Sequence, residues 1–157
     1  MSAEEFTRHF GAVLEHSPQF ATRAAGRRPF TSLDELHAAF VSEIGRAPEA
    51  ERLALLRAHP DLANRLERLT ASSTQEQTSA GLDTLNAEQL GEFQRLNASY
   101  RERFGFPFII CARLNSKDAI LASFRLRLEN SREAEFATAL AEVAKIARLR
   151  LQDLATP

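Results

Sequence analysis

His59, Glu76 and Arg150 would make an acid–base set if the fold brings them together, which their spacing alone does not show. His59 stands in His59-Pro60-Asp61, where the proline biases the residue before it out of helix and is itself suited to open the next one. An imidazole at the start of a helix meets the positive end of the dipole, which favours the neutral, proton-accepting form. The plainer reading is a helix-breaking junction that happens to hold a histidine. Glu76 lies in Ser73-x-x-Glu76-Gln77, which reads as a capping box. It reads equally as a polar wall, with close backbone approach at the following Ser79-Ala80-Gly81. Arg150 lies near the middle of an apolar stripe formed by Phe136, Leu140, Val143, Ala147 and Leu154, whereas Arg148 projects to the opposite side. A charge aimed at a core needs an anionic partner, either structural, such as Glu76, or a ligand carboxylate. The apolar run Phe106–Ala112 is a fourth candidate. If it is extended inside a helical protein, its peptide groups need partners, which other backbone or an amide-rich planar ligand would supply.

The elements that must position these groups read as helices. Phe6, Phe10, Val13 and Leu14 share one face; so do Leu33, Leu36, Phe40, Val41 and Ile44, after the capping pattern Ser32-x-x-Glu35 and between Pro29 and Pro48. A third helix carries Leu53 and Leu56 and stops at His59, and a fourth opens at Pro60 through Leu62, Leu66 and Leu69. Residues 70–80 are small and polar, an interruption with several possible N-caps. Asn86 to Phe104 reads as a long helix striped by Leu90, Phe93, Leu96 and Tyr100. Helices over 117–129 and 132–154 complete the chain. The fold class is all-α: one compact domain over residues 1–157, a bundle of about seven to nine helices.

Composition narrows the function. Twenty basic against 21 acidic residues give a net charge of −1, which argues against a protein that works by neutralising nucleic-acid phosphates. Cys111 is the only cysteine, so neither an internal disulfide nor a multi-cysteine zinc site is available. Paired with His59 it makes a nucleophilic hydrolase conceivable, although its apolar flanks suit an inert buried thiol. Glu4, Glu5 and Arg8 interrupt any signal-like apolar run, no stretch is long enough for a bilayer, and the last residues carry no peroxisomal tripeptide. A cytoplasmic protein acting on a small molecule, with no membrane or nucleic-acid partner, is the expectation. A non-catalytic helical binding or interaction module is the alternative.

Several blocks follow one another in a specific order: Glu15-His16-Ser17-Pro18, Arg28-Pro29-Phe30, Arg57-Ala58-His59-Pro60-Asp61-Leu62-Ala63, Glu76-Gln77-x-x-Ala80-Gly81-Leu82, Phe104-Gly105-Phe106-Pro107-Phe108-Ile109, Arg127-Leu128-x-Asn130 and Leu149-Arg150-Leu151. In these the chain resembles, nearly end to end, the OHCU decarboxylases, which act on 2-oxo-4-hydroxy-4-carboxy-5-ureidoimidazoline in urate breakdown. Gln19 departs from the aromatic residue expected after the Ser-Pro pair. The resemblance implies an all-α fold, cofactor-free and metal-free decarboxylation to (S)-allantoin, and a homodimer. It implies His59, Glu76 and Arg150 as catalytic residues. It implies Pro60, Ser73, Gln77 and the backbone of Phe108, Ile109, Ile110, Cys111 and Ala112 as the substrate-binding set.

Overall fold

Short polar side chains start most of the helices. In the computed structural model, which describes residues 1–63 and 69–155, Ser2, Ser32, Thr70, Asn86 and Ser116 each accept the N–H three residues on, satisfying a donor that the helix itself cannot. The helices they and the intervening prolines define are α1 Ala3–Phe10, α2 Gln19–Ala25, α3 Leu33–Arg46, α4 Glu49–Arg57, α5 Ala71–Ser79, α6 Ala87–Phe104, α7 Lys117–Arg127 and α8 Arg132–Ala155. Single 3₁₀ turns occupy Leu82–Thr84 and Ala112–Leu114. No strand occurs among the described residues, and none of their helices is long and apolar enough to cross a membrane. The all-α expectation is met, with eight α-helices among the described residues.

The chain divides into two compact units. The first comprises Met1–Ala58 and the chain from Val143 onward; the second is His59–Glu142, so α8 contributes residues to both. In the first unit α2 packs on α1 and α3. The Phe6 ring touches those of Phe10, Phe30 and Phe40. Val13 and Leu14 are buried as their spacing suggests, but they lie beyond the end of α1. Its turn has His16 in the left-handed region, at φ 49°. Helix α2 has too short an apolar pattern to be read from sequence. On α8, His37 of α3 bonds the Ala144 carbonyl at 2.8 Å, and Arg148 pairs with Asp34.

The second unit is built around aromatic rings. Tyr100 makes edge contacts with Phe106, Phe108 and Phe124, the geometry favoured by the ring quadrupole, and Phe108 stacks on Phe124 at 3.8 Å. The buried face of α6 is Phe93, Asn97, Tyr100 and Phe104, while Leu90 is exposed: the stripe is displaced from the expected one and carries a polar residue. Helix α6 ends at Gly105, whose left-handed φ of 81° suits glycine. From there Phe106–Cys111 runs without regular structure and is buried, as its composition suggests.

Two expectations are corrected. Pro60 does not open a helix: residues 60–63 form irregular chain and a turn. The Leu62 carbonyl is taken by the Asn97 side chain, the Ala63 N–H by Gln77, and Ala63 adopts a φ of 59°, so side chains hold what a helix would have used. The further course of that expected helix, including Leu66, lies outside the described residues. Residues 70–80, read as an interruption, form α5; Thr70 caps it, and Ser73 and Glu76 sit inside the helix rather than forming its capping box.

Candidate active site

Helix α5 has no apolar stripe, and its buried residues are Ser73, Glu76 and Gln77. A helix that buries polar side chains must satisfy them in place. Gln77 does this by engaging the loop that carries His59. Its Oε1 accepts the Ala63 N–H at 3.0 Å, and its Nε2 reaches the Asp61 carbonyl at 3.5 Å. Helix α6 holds the same loop from its own residues: Asn97 donates to the Leu62 carbonyl at 2.7 Å and Arg101 pairs with Asp61 at 3.1 Å. His59, followed by Pro60, is buried at the head of this clamped loop. It follows the C-terminal end of α4, and residues 60–63 are not helical, so the helix-start argument for a neutral imidazole does not apply.

Helix α5 also packs on the 3₁₀ turn Ala112–Leu114, which ends the extended segment. Glu76 is close enough to Cys111 that its charge helps keep the thiol protonated. Burial is the main cause of that upward shift, with Glu142 next and Glu76 third. A buried thiol held protonated is the opposite of an activated nucleophile, which removes support from the Cys–His hydrolase reading.

The extended segment has no strand partner among the described residues, and side chains hold its peptide groups. Arg127 donates to the Ile109 carbonyl at 2.8 Å, Glu142 accepts the Cys111 N–H at 3.0 Å, and Asn115 donates to the Cys111 carbonyl at 3.0 Å. Sequence reasoning missed Glu142. It lies off the expected Phe136, Leu140 and Val143 stripe, on a face of α8 shared with Glu135, Ala139 and Ile146, all of them buried.

Arg150 belongs to the first unit, whereas His59, Ser73, Glu76, Gln77 and Phe108–Ala112 belong to the second. Arg150 is buried on α8 as its position in the stripe indicates, while Leu154 at the end of that stripe is exposed. Arg150 pairs with Glu15. Arg150 Nη2 donates to Glu15 Oε1 at 2.8 Å and Nη1 to the Val13 carbonyl at 3.1 Å. Glu15 is buried in the turn around His16, where Ser17 Oγ donates to its carbonyl at 2.9 Å. An apolar groove of about 570 Å³ beside Pro29 and Phe30 contains none of these residues.

An all-α fold that buries a histidine, a glutamate and a clamped run of peptide groups in one unit holds the kinds of group an acid–base enzyme needs. Comparison with known proteins gives the class its name. The model of the OHCU decarboxylase family matches residues 1–152. The chain is 48% identical to 2-oxo-4-hydroxy-4-carboxy-5-ureidoimidazoline decarboxylase of Haloferax volcanii over 96% of its length and 89% of the relative's. It is 46% identical to the decarboxylase of the same name from Amia calva, over 98% and 90%. The solved structure of an OHCU decarboxylase in the presence of (S)-allantoin superimposes with a TM-score of 0.77 at 26% identity, covering 98% of this chain and 99% of that one. The chain belongs to the OHCU decarboxylase family, and its activity is that of a decarboxylase, a carboxy-lyase.

Proposed function

We propose that the chain, working as one decarboxylase domain, converts 2-oxo-4-hydroxy-4-carboxy-5-ureidoimidazoline to (S)-allantoin without a cofactor, in the cytoplasm and as a homodimer. The observation that carries this reading is the family match over nearly the whole chain, joined to the Gln77 clamp that ties the His59 loop to the helix bearing Glu76.

The substrate carries its own electron sink. Breaking the carbon–carboxylate bond releases CO2 and sends the electron pair into the adjoining C=N bond, whose nitrogen takes a proton. The resulting enol-like ring loses its hydroxyl proton to a base and gains one at the adjoining carbon, which becomes stereogenic. His59 is the group for that exchange, taking the hydroxyl proton and returning one to a single face. Glu76 orients His59 or the ureido amides. Arg150 serves the ring or ureido oxygen, because gripping the departing carboxylate would stabilise the ground state. Its pairing with Glu15 supports this assignment, since a guanidinium already facing a carboxylate is a weaker trap for a second one. Pro60, Ser73, Gln77 and the Phe108–Ala112 backbone hold the substrate.

The test generates the substrate in place from urate with urate oxidase and hydroxyisourate hydrolase, and follows the circular dichroism of the allantoin formed. One enantiomer is expected, produced rapidly with the wild-type chain and lost with His59→Ala. Racemic product at the spontaneous rate with the wild-type chain would reject the reading and leave a helical binding module in its place.

A further inference from the structure

The Arg127-Leu128-x-Asn130 block has no role in the site assignments above, yet it ends in a buried charged cluster. Glu135, fully buried, accepts from three side chains: Tyr100 OH at 2.5 Å and Arg127 Nε at 2.9 Å on Oε2, and Asn130 Nδ2 at 2.9 Å on Oε1. Burial, then the bond to Glu135, pushes the Tyr100 hydroxyl's pKa well above its ordinary value, so it remains a donor. Arg127 is thereby fixed on one side. On the other its Nη1 donates to the Ile109 carbonyl at 2.8 Å, and its guanidinium lies over the Phe108 ring at 4.3 Å. Its Nη2 is buried without a hydrogen-bond partner among the described residues, so those contacts carry the compensation of the charge.

The consequence falls on the next peptide. Ile109 is held through its carbonyl and Cys111 through its N–H, by Arg127 and Glu142. Between them Ile110 is buried, and among the described residues neither its N–H nor its C=O has a hydrogen-bond partner. Buried peptide groups with this geometry are a ready-made pair of partners for an amide. A clamp of charged side chains on both flanks fixes their position before a ligand arrives, which lowers the ordering cost of binding. Leaving the job to Lys would not serve, because one ammonium lacks the planar fork that addresses a carboxylate and a carbonyl together.

We infer that Arg127 is a positioning residue for this enzyme: anchored on Glu135, it fixes the Ile109 carbonyl and the Phe108 ring so that the Ile110 peptide groups are held ready for the amide edge of the substrate. The inference rests on the proposed reading that the Phe108–Ala112 backbone binds the ureidoimidazoline. Arg127 makes no contact with the reacting atoms, so its loss acts on binding more than on the chemical step.

The experiment compares wild type, Arg127→Lys and His59→Ala in the coupled urate assay, with folding checked by far-ultraviolet circular dichroism. Folded Arg127→Lys is expected to raise KM by about ten-fold or more, the scale of one lost charge-assisted hydrogen bond, while kcat stays within about three-fold. His59→Ala loses kcat. A folded Arg127→Lys with wild-type KM and a lower melting temperature would make Arg127 a stabiliser only and overturn the inference. Should Arg127→Lys fail to fold, Phe108→Leu carries the test: it removes the ring beneath the guanidinium, with KM expected to rise about three- to ten-fold; an unchanged KM would overturn the inference there. Wild type giving only racemic product would remove the functional reading and the inference with it, whereas active wild type with an unaffected Arg127→Lys removes the inference alone.

Discussion

Two arginines are buried in this molecule in nearly the same way and to different ends. Each donates to a carboxylate and to a backbone carbonyl: Arg150 to Glu15 and Val13 in the first unit, Arg127 to Glu135 and Ile109 in the second. Arg127 and Glu135 are eight residues apart, and Glu135 is saturated by two further donors, Tyr100 and Asn130. Arg150 and Glu15 are 135 residues apart, and Glu15 sits in an irregular turn. The local pair closes a short loop at small entropic cost, the distant pair a long one. The difference teaches how one buried ion pair can serve two purposes. A carboxylate that takes three side-chain donors, as Glu135 does, makes a rigid anchor, whereas Glu15 sets the charge that Arg150 presents.

The largest expected effect breaks the anchor. Glu135→Gln leaves one acceptor oxygen for three donors and strands the Arg127 charge, and about 3–5 kcal/mol of stability should be lost, as for other buried pairs stripped of one partner. Urea unfolding measures it. Glu15→Gln keeps an oxygen for Arg150 and should cost less, about 1–3 kcal/mol; on the role proposed for Arg150 it should also slow turnover, since the arginine freed of its carboxylate would grip the one that must depart. Equal stability losses in the two variants would dissolve the distinction between anchor and charge-setter. Next in size, Tyr100→Phe removes one of the three donors to Glu135 and should cost about 1.5–3 kcal/mol in the same assay, with KM near wild type because Arg127 keeps its hold on Ile109.

The same contrast explains what could be read from the sequence. Periodicity located Phe6, Phe10, Phe40, Phe93 and Tyr100 in the core, and the helix read from Asn86 to Phe104 matches α6 to within a residue. Arg150 was legible as buried because its own helix stripe surrounds it. Its partner was not, because nothing local links it to a glutamate 135 residues away. Helix α5 was misread for a related reason. It buries Ser73, Glu76 and Gln77 in place of an apolar face, so the 3.6-residue signal is missing there. The turn after Pro60 is likewise fixed by Gln77 and Asn97 from other helices, information that no window around Pro60 contains.

The smallest expected effect uses Cys111 as a reporter on the Arg127 side of the comparison. Burial, with the charges of Glu142 and Glu76, raises the pKa of this thiol in the folded protein. The folded state therefore holds the thiol proton more tightly than the unfolded chain. The associated stability is fully present below the ordinary thiol pKa of about 8.5 and is lost as pH rises through the folded value. Cys111→Ala should accordingly flatten the decline in wild-type stability above about pH 8.5, which unfolding at a series of alkaline pH values would detect. The same thiol should react slowly with iodoacetamide near neutral pH in the wild type and in Glu15→Gln, whose lesion lies in the other unit. Glu135→Gln should speed the reaction, because loosening Arg127 releases the Ile109–Cys111 backbone that keeps the thiol buried. Equal acceleration in both variants would mean that the segment answers to the stability of the whole chain and that Arg127 exerts no separate hold on it.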